Sequence, residues 1–200
     1  TYSSVQEAVN AASGWVFVGP GTFNDQVSVG TSGLTIEGSG YDTLIDSGTS
    51  GNAVDVVADG VTIRNLSVQT TAGGGSSSRG IGYASTNSGL TLENITVREC
   101  DDIGLYILGS DAIVSNCTTN NTDSDGIRTG KPRTIIRGCT VLNAGGNGIR
   151  LVGYDSIVES NIVTNAGRGI DIAGNDSIAI GNRIHNSGSD GLFTNSIDSI

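Results

Sequence analysis

The chain has 200 residues, 31 of them glycine and only 2 proline, with 4% aromatic side chains and a net charge of −10. Glycine without a three-residue period excludes a collagen, and the regular recurrence of Ile, Val and Leu excludes a disordered chain. An acidic chain with no Lys/Arg cluster is a poor partner for nucleic acid, and no run of 18 apolar residues is present to span a membrane.

Nine of the ten cations are Arg, with Lys131 the exception, and Asp outnumbers Glu fifteen to five. Excess carboxylate with almost no Lys keeps a surface hydrated where salt screens strongly, which predicts a salt-adapted source. An ordinary acidic secreted protein is the alternative.

In chain order, residues 1–14 contain SSVQEAVNAA, where Ser4 and Glu7 form a capping box and Val5, Val9 and Ala12 fall on one stripe. This predicts a short amphipathic helix. Residues 15–59 carry short β-branched runs, WVFV and GLTIEG among them. From residue 60 a clear repeat begins: GVTIRNLSV (60–68) and GLTLENITV (89–97) are the same strand 29 residues apart, and the surplus at 70–80 predicts a bulging Gly/Ser loop.

Beyond it Ile113, Ile135, Ile157, Ile178 and Ile200 keep steps of 22, 22, 21 and 22, in phase with Gly104, Gly126, Gly148, Gly169 and Gly191. Two further columns are Asn121, Asn143, Asn165, Asn186 and Cys117, Cys139, Asn161, Asn182. A fixed period of this size is a solenoid, and short strands with Gly and Asn corners make it an all-β, single-stranded parallel β-helix of about 22 residues per rung. The helix at the start caps the open edge. The whole is read as one domain over 1–200. Thr1 is not Met, and Ile200 opens a new rung, so the coil is expected to continue beyond 200.

Most columns have structural explanations. The Asn column at 121, 143, 165 and 186 reads as an amide ladder. Asn65 and Asn94, both glycosylation sequons like Asn116, Asn120 and Asn175, are placed in the corner column of Cys117 and Asn161. Cys117 and Cys139 are within disulfide reach one rung apart, but the continuation of their column by Asn161 and Asn182 favours stacked free thiols. His185, the only histidine, has no partner at metal spacing and is read as a turn residue.

What varies between rungs is the outward position after each column glycine: Tyr106, Arg128, Arg150, Asp171 and Phe193. Tyr106 to Arg150 would span about 10 Å at roughly 4.8 Å per rung, close to two sugar units. Asp123, Asp125, Asn147, Arg168 and Asp190 lie in the preceding turns. Arg forks carboxylates and a Tyr ring covers apolar sugar faces, so Tyr106, Arg128, Arg150, Arg168 and Asp171 are the candidate glycan-binding residues. A solvated face with adjacent-rung ion pairs, such as Arg150 to Asp171, is the alternative.

SSVQEAVNAA, WVFVGPGTFNDQVSV (15–29), GLTIEGSGYDTLID (33–46) and the repeats from 60 onward together resemble the right-handed parallel β-helix proteins of the pectate-lyase-like superfamily. That superfamily includes pectinesterases, polysaccharide lyases, archaeal and bacterial surface proteins and phage tailspikes. GTFND (21–25) is similar to an early pectinesterase motif, but the catalytic segments of pectinesterases are absent, and Asp101-Asp102 lacks the Gly-His-Gly element of polygalacturonases. The resemblance implies a surface-exposed module, extracellular or on a cell or virion surface, that binds a polysaccharide or surface glycan. It leaves two alternatives: a polysaccharide lyase or epimerase, or a structural spacer assembled as a homotrimer or in a larger complex. In the lyase case the resemblance implies an Arg base, Arg128 or Arg150, beside a Ca²⁺ held by Asp123 and Asp125. Without it no cofactor is expected.

Overall fold

The computed structural model describes residues 2–48, 50–70 and 78–195. The core of the anticipated Gly/Ser loop, 71–77, and Ile200 lie outside the described residues. Among the described residues twenty strands coil into eight rungs, every pairing parallel and between successive turns of the coil. Each rung contributes to three stacked sheets. The first runs from Trp15–Val18 to Ile178–Ile180, the second from Gly21–Asn24 to Arg183–His185, and the third from Val27–Val29 to Leu192–Thr194. Thr62 pairs with Thr91 across the 29-residue rung, and Ile113, Ile135, Ile157 and Ile178 pair in an unbroken column, so the predicted phase holds.

That isoleucine column faces outward. The core of the first sheet is made by the residues between, Val114, Ile136 and Val158, all fully buried. Each such side chain contributes roughly 1.5 to 3 kcal/mol by leaving water. The glycine column has a steric cause: a Cβ on Gly80, Gly104, Gly126 or Gly148 would sit 2.6 to 2.7 Å from the carbonyl oxygen of the next column glycine. Gly169 belongs to the same column and is needed for this close approach of rungs, not to let the chain turn.

The helix Val5–Ala11 begins on Ser4, whose Oγ accepts from Glu7 N at 3.1 Å. The reciprocal half of the capping box is displaced by one residue: the Glu7 carboxylate accepts from the backbone and hydroxyl of Ser3, bonds that hold its pKa below the ordinary value. Gln6 then stands in for a missing strand. Its amide accepts from Ser28 N at 2.6 Å and donates to Ser28 O at 3.1 Å, covering the exposed edge of the first rung.

Two corners carry asparagine differently. Between the second and third sheets, Asn143, Asn165 and Asn186 each donate their amide to the Asn one rung below at 3.0 to 3.2 Å. All four members have φ between 53° and 56°, and their side chains are exposed. Between the first and second sheets, Asn161 points inward and is fully buried. Asn65 and Asn94 align with Asn116, one place before Cys117, because Glu93 pairs with Arg64 and Ser115. Asn94 donates its amide to Asn65 Oδ1 at 3.1 Å, and Asn65 in turn donates to Glu37 at 3.2 Å. Cys100, Cys117 and Cys139 are buried free thiols, and burial holds the Cys117 thiol well above its ordinary pKa.

Candidate functional site

The third sheet presents one outward side chain per rung because the positions on either side of it in each strand are core. Leu105 and Ile107 enclose Tyr106, Ile127 and Thr129 enclose Arg128, and Ile149 and Leu151 enclose Arg150, all six flanking residues being buried. The register puts Tyr106 beside Arg128, Arg128 beside Arg150, Arg150 beside Asp171 and Asp171 beside Phe193. The row inferred from the repeat is therefore continuous.

Around it the side chains form a connected chain of charge and rings. The Arg79 guanidinium lies over the Tyr106 ring at 4.0 Å and pairs with Asp102 at 3.2 Å. Arg128 stands 5.8 Å from the same ring, with no carboxylate in ion-pair range among the described residues. Asp171, only 6% exposed, receives Arg150 at 3.4 Å and Arg168 at 3.7 Å. Arg168 also reaches Asp190 at 3.3 Å and lies over Phe193 at 4.2 Å. A charge-assisted hydrogen bond is normally about 2.8 Å, so these are loose ion pairs, and Nε of Arg150 and of Arg168 is buried without a hydrogen-bond partner.

The two aspartates proposed as cation ligands part company. Asp125 is buried, and its Oδ1 accepts from both the backbone N and the side-chain amide of Asn147 at 2.8 Å. Asp123 is exposed at the corner and lines a separate recess with Glu99 and Asp101. Among the described residues no cluster of three or more His, Cys, Asp or Glu side chains is placed to hold a metal ion. Tyr106, Arg128, Arg150, Arg168 and Asp171 are brought together, whereas Asp125 serves the corner beneath them.

Sequence reasoning missed Arg79 and Asp102. Arg79 occupies the slot before column glycine Gly80, as Arg168 does before Gly169, so following the glycine clock back through the longer rung would have found it.

Residues 22–156 and 128–199 match the family described as right handed beta helix region. The chain belongs to that family, which fixes the right hand of the coil. Among solved structures it is similar to the pectin methylesterase from Yersinia enterocolitica, at 11% identity and TM-score 0.67, covering 92% of this chain and 90% of that one. It is similar to the catalytic domain of a GH87 alpha-1,3-glucanase in complex with nigerose, at 19% identity and TM-score 0.72, covering 96% of this chain and 39% of that one. It is also similar to the A-module of a mannuronan C-5 epimerase from Azotobacter vinelandii, at 16% identity and TM-score 0.54, covering 98% and 71%. These likenesses show a fold shared with carbohydrate-active proteins. No curated protein matches the chain significantly.

Proposed function

We propose that the chain is a glycan-binding module displayed outside the cell, on an envelope or virion surface, and that the third sheet is its binding face. The observation carrying this reading is the unbroken outward row of Tyr106, Arg128 and Arg150, extended at one end by Arg79 and at the other by Arg168, Asp171 and Phe193. Rings packed beside guanidinium groups offer apolar and charged contacts at the spacing of successive sugars, and the shallow face admits a chain from either end. A polysaccharide partner also agrees with neighbours solved with nigerose and with a hexasaccharide.

The test is a glycan array followed by titration of the best oligosaccharide. Tyr106→Ala and Arg150→Ala each weaken binding about tenfold or more, the loss expected from a central contact worth about 1.4 kcal/mol. An array without hits, or variants that bind as the parent does, refutes the reading. A lyase or epimerase on this face would change the uronate signals of an acidic polysaccharide and lose that effect in Arg128→Ala. The commitment of Asp125 to Asn147 counts against it.

The skewed charge composition supports a salt-adapted source as part of the same proposal. The melting temperature rises from dilute buffer to molar salt, because screening relieves the repulsion within a chain of charge −10. A melting temperature that stays flat or falls removes this part.

A further inference from the structure

The turn from the third sheet to the first keeps Gly, Asp and Ile at its first, third and fifth places in three of the regular rungs. It reads Gly109-Ser110-Asp111-Ala112-Ile113, then Gly153-Tyr154-Asp155-Ser156-Ile157 and Gly174-Asn175-Asp176-Ser177-Ile178. In the rung between the first two it reads Lys131-Pro132-Arg133-Thr134-Ile135. The third place has positive φ throughout: 55° at Asp111, 58° at Arg133, 52° at Asp155 and 54° at Asp176. Asp tolerates this left-handed conformation through local bonds, whereas Arg has no such compensation. The backbone therefore favours Asp here, and the Arg needs another explanation.

Its surroundings supply one. Arg133 is clamped from behind, its Nε and Nη2 donating to the two oxygens of Asp111 at 2.6 and 2.8 Å, which leaves Nη1 unused by that pair. The Arg133 side chain stays 54% exposed. In front of it is a cleft of about 510 Å³ running along this turn over successive rungs. Thr86, Ser88 and Ser110 offer hydroxyls at one end, Lys131 and Arg133 stand in the middle, and Tyr154, 52% exposed, closes the other end. Lys131 is the only lysine of an acidic chain, and no carboxylate is in ion-pair range of it among the described residues.

We propose that this turn cleft binds a single acidic sugar unit, a uronate or a sulfated pyranose, separately from the third-sheet face. The Lys131 ammonium and the free edge of Arg133 take the acid group, the Tyr154 ring lies against the apolar face of the pyranose, and the hydroxyls pair with the ring hydroxyls. The one rung that breaks the turn pattern thus places both cations between the hydroxyls and the ring. None of these residues belongs to the third-sheet row, so the two sites can stand or fall independently.

The experiment is an NMR titration of the chain in dilute buffer with methyl glucuronide, methyl galacturonide and a sulfated glucose, with neutral methyl glucoside as control. At least one acidic probe binds saturably and the neutral one does not, and the preferred probe tells a carboxylate ligand from a sulfate. Lys131→Gln and Tyr154→Ala each weaken that binding about tenfold or more, whereas Arg183→Ala, which removes an exposed cation on the second sheet, leaves it unchanged. The double variant Lys131→Gly/Arg133→Asp restores the repeating turn, so it keeps the parent melting temperature to within a few degrees, roughly the effect of 1 kcal/mol, and loses binding. Absence of binding by every acidic probe, equal binding of the neutral one, or binding that survives the double variant overturns the proposal. A double variant that melts far below the parent assigns the two cations a structural role and overturns it as well.

Discussion

The corner around Asn161 and the outward row through Arg150 share the same rungs and obey opposite rules. Asn161 is fully buried and committed: it accepts from Cys139 N at 2.8 Å and donates to Ile136 O at 3.1 Å and Asn182 Oδ1 at 3.0 Å. Its inward column runs Leu66, Ile95, Cys117, Cys139, Asn161 and Asn182, from apolar groups to thiols and then amides, and every polar member finds a partner in a neighbouring rung. The row through Arg150 changes from ring to cation to carboxylate under a looser constraint: its arginines are partly exposed, and its one buried carboxylate, Asp171, is met by both Arg150 and Arg168. Low dielectric enforces repetition or exact bonding inside, and solvent permits variation outside.

The sharpest way to break this contrast is Asn161→Ala. It orphans the buried Cys139 N–H and one carbonyl in a site closed to water, at about 1 to 3 kcal/mol for each unmade bond. A chemical denaturation series should show a loss near 3 kcal/mol; a loss below about 1 kcal/mol would mean that water enters the corner.

Asn165→Ala, only four residues on, costs less. Its ladder is exposed, so the side-chain bonds compete with water, and the main expense is an Ala Cβ held at φ 56°. That is about 1 to 2 kcal/mol. Asn165→Gly separates the causes: glycine accepts this φ freely, so it should lose less than the alanine variant. Equal losses would assign the stability to the amide ladder instead.

The rung length, the glycine clock and the amide ladder were legible in the sequence because each is a steric or hydrogen-bonding demand repeated at every turn, and the capping helix because its capping box and apolar stripe are local. The face on which a column lies was less legible. Strand alternation gives two faces, and here both carry β-branched residues, so the isoleucines that mark the period point outward while Val114, Ile136 and Val158 fill the core. The offset of Asn65 and Asn94 by one place is the same ambiguity at a corner. Among the candidate residues, Arg128 and Arg150 followed from phase alone. The inward commitment of Asp125 did not, since a carboxylate in a turn reads alike whether it caps an amide or faces a ligand. Arg79 was hidden because its rung is longer than the clock that located the others.

The smallest effect on stability is expected where the largest effect on binding is proposed. In Arg150→Ala the buried Asp171 carboxylate keeps Arg168, already 3.7 Å away, as its cation. The lost pair is 3.4 Å long with its arginine 37% exposed, and because Arg168 still compensates the buried carboxylate the loss is expected to stay near about 1 kcal/mol, the value of a surface pair. Arg150→Ala should therefore melt within a few degrees of the parent. Raising the salt concentration should narrow even that gap, because screening weakens the pair in the parent. Arg168→Ala is the harsher test of the same row, since it takes from Asp171 and Asp190 their shared cation and from Phe193 its stacked guanidinium. If Arg150→Ala proves as damaging to stability as Asn161→Ala, then the row is part of the frame, and the distinction between a repeating scaffold and a variable recognition face fails.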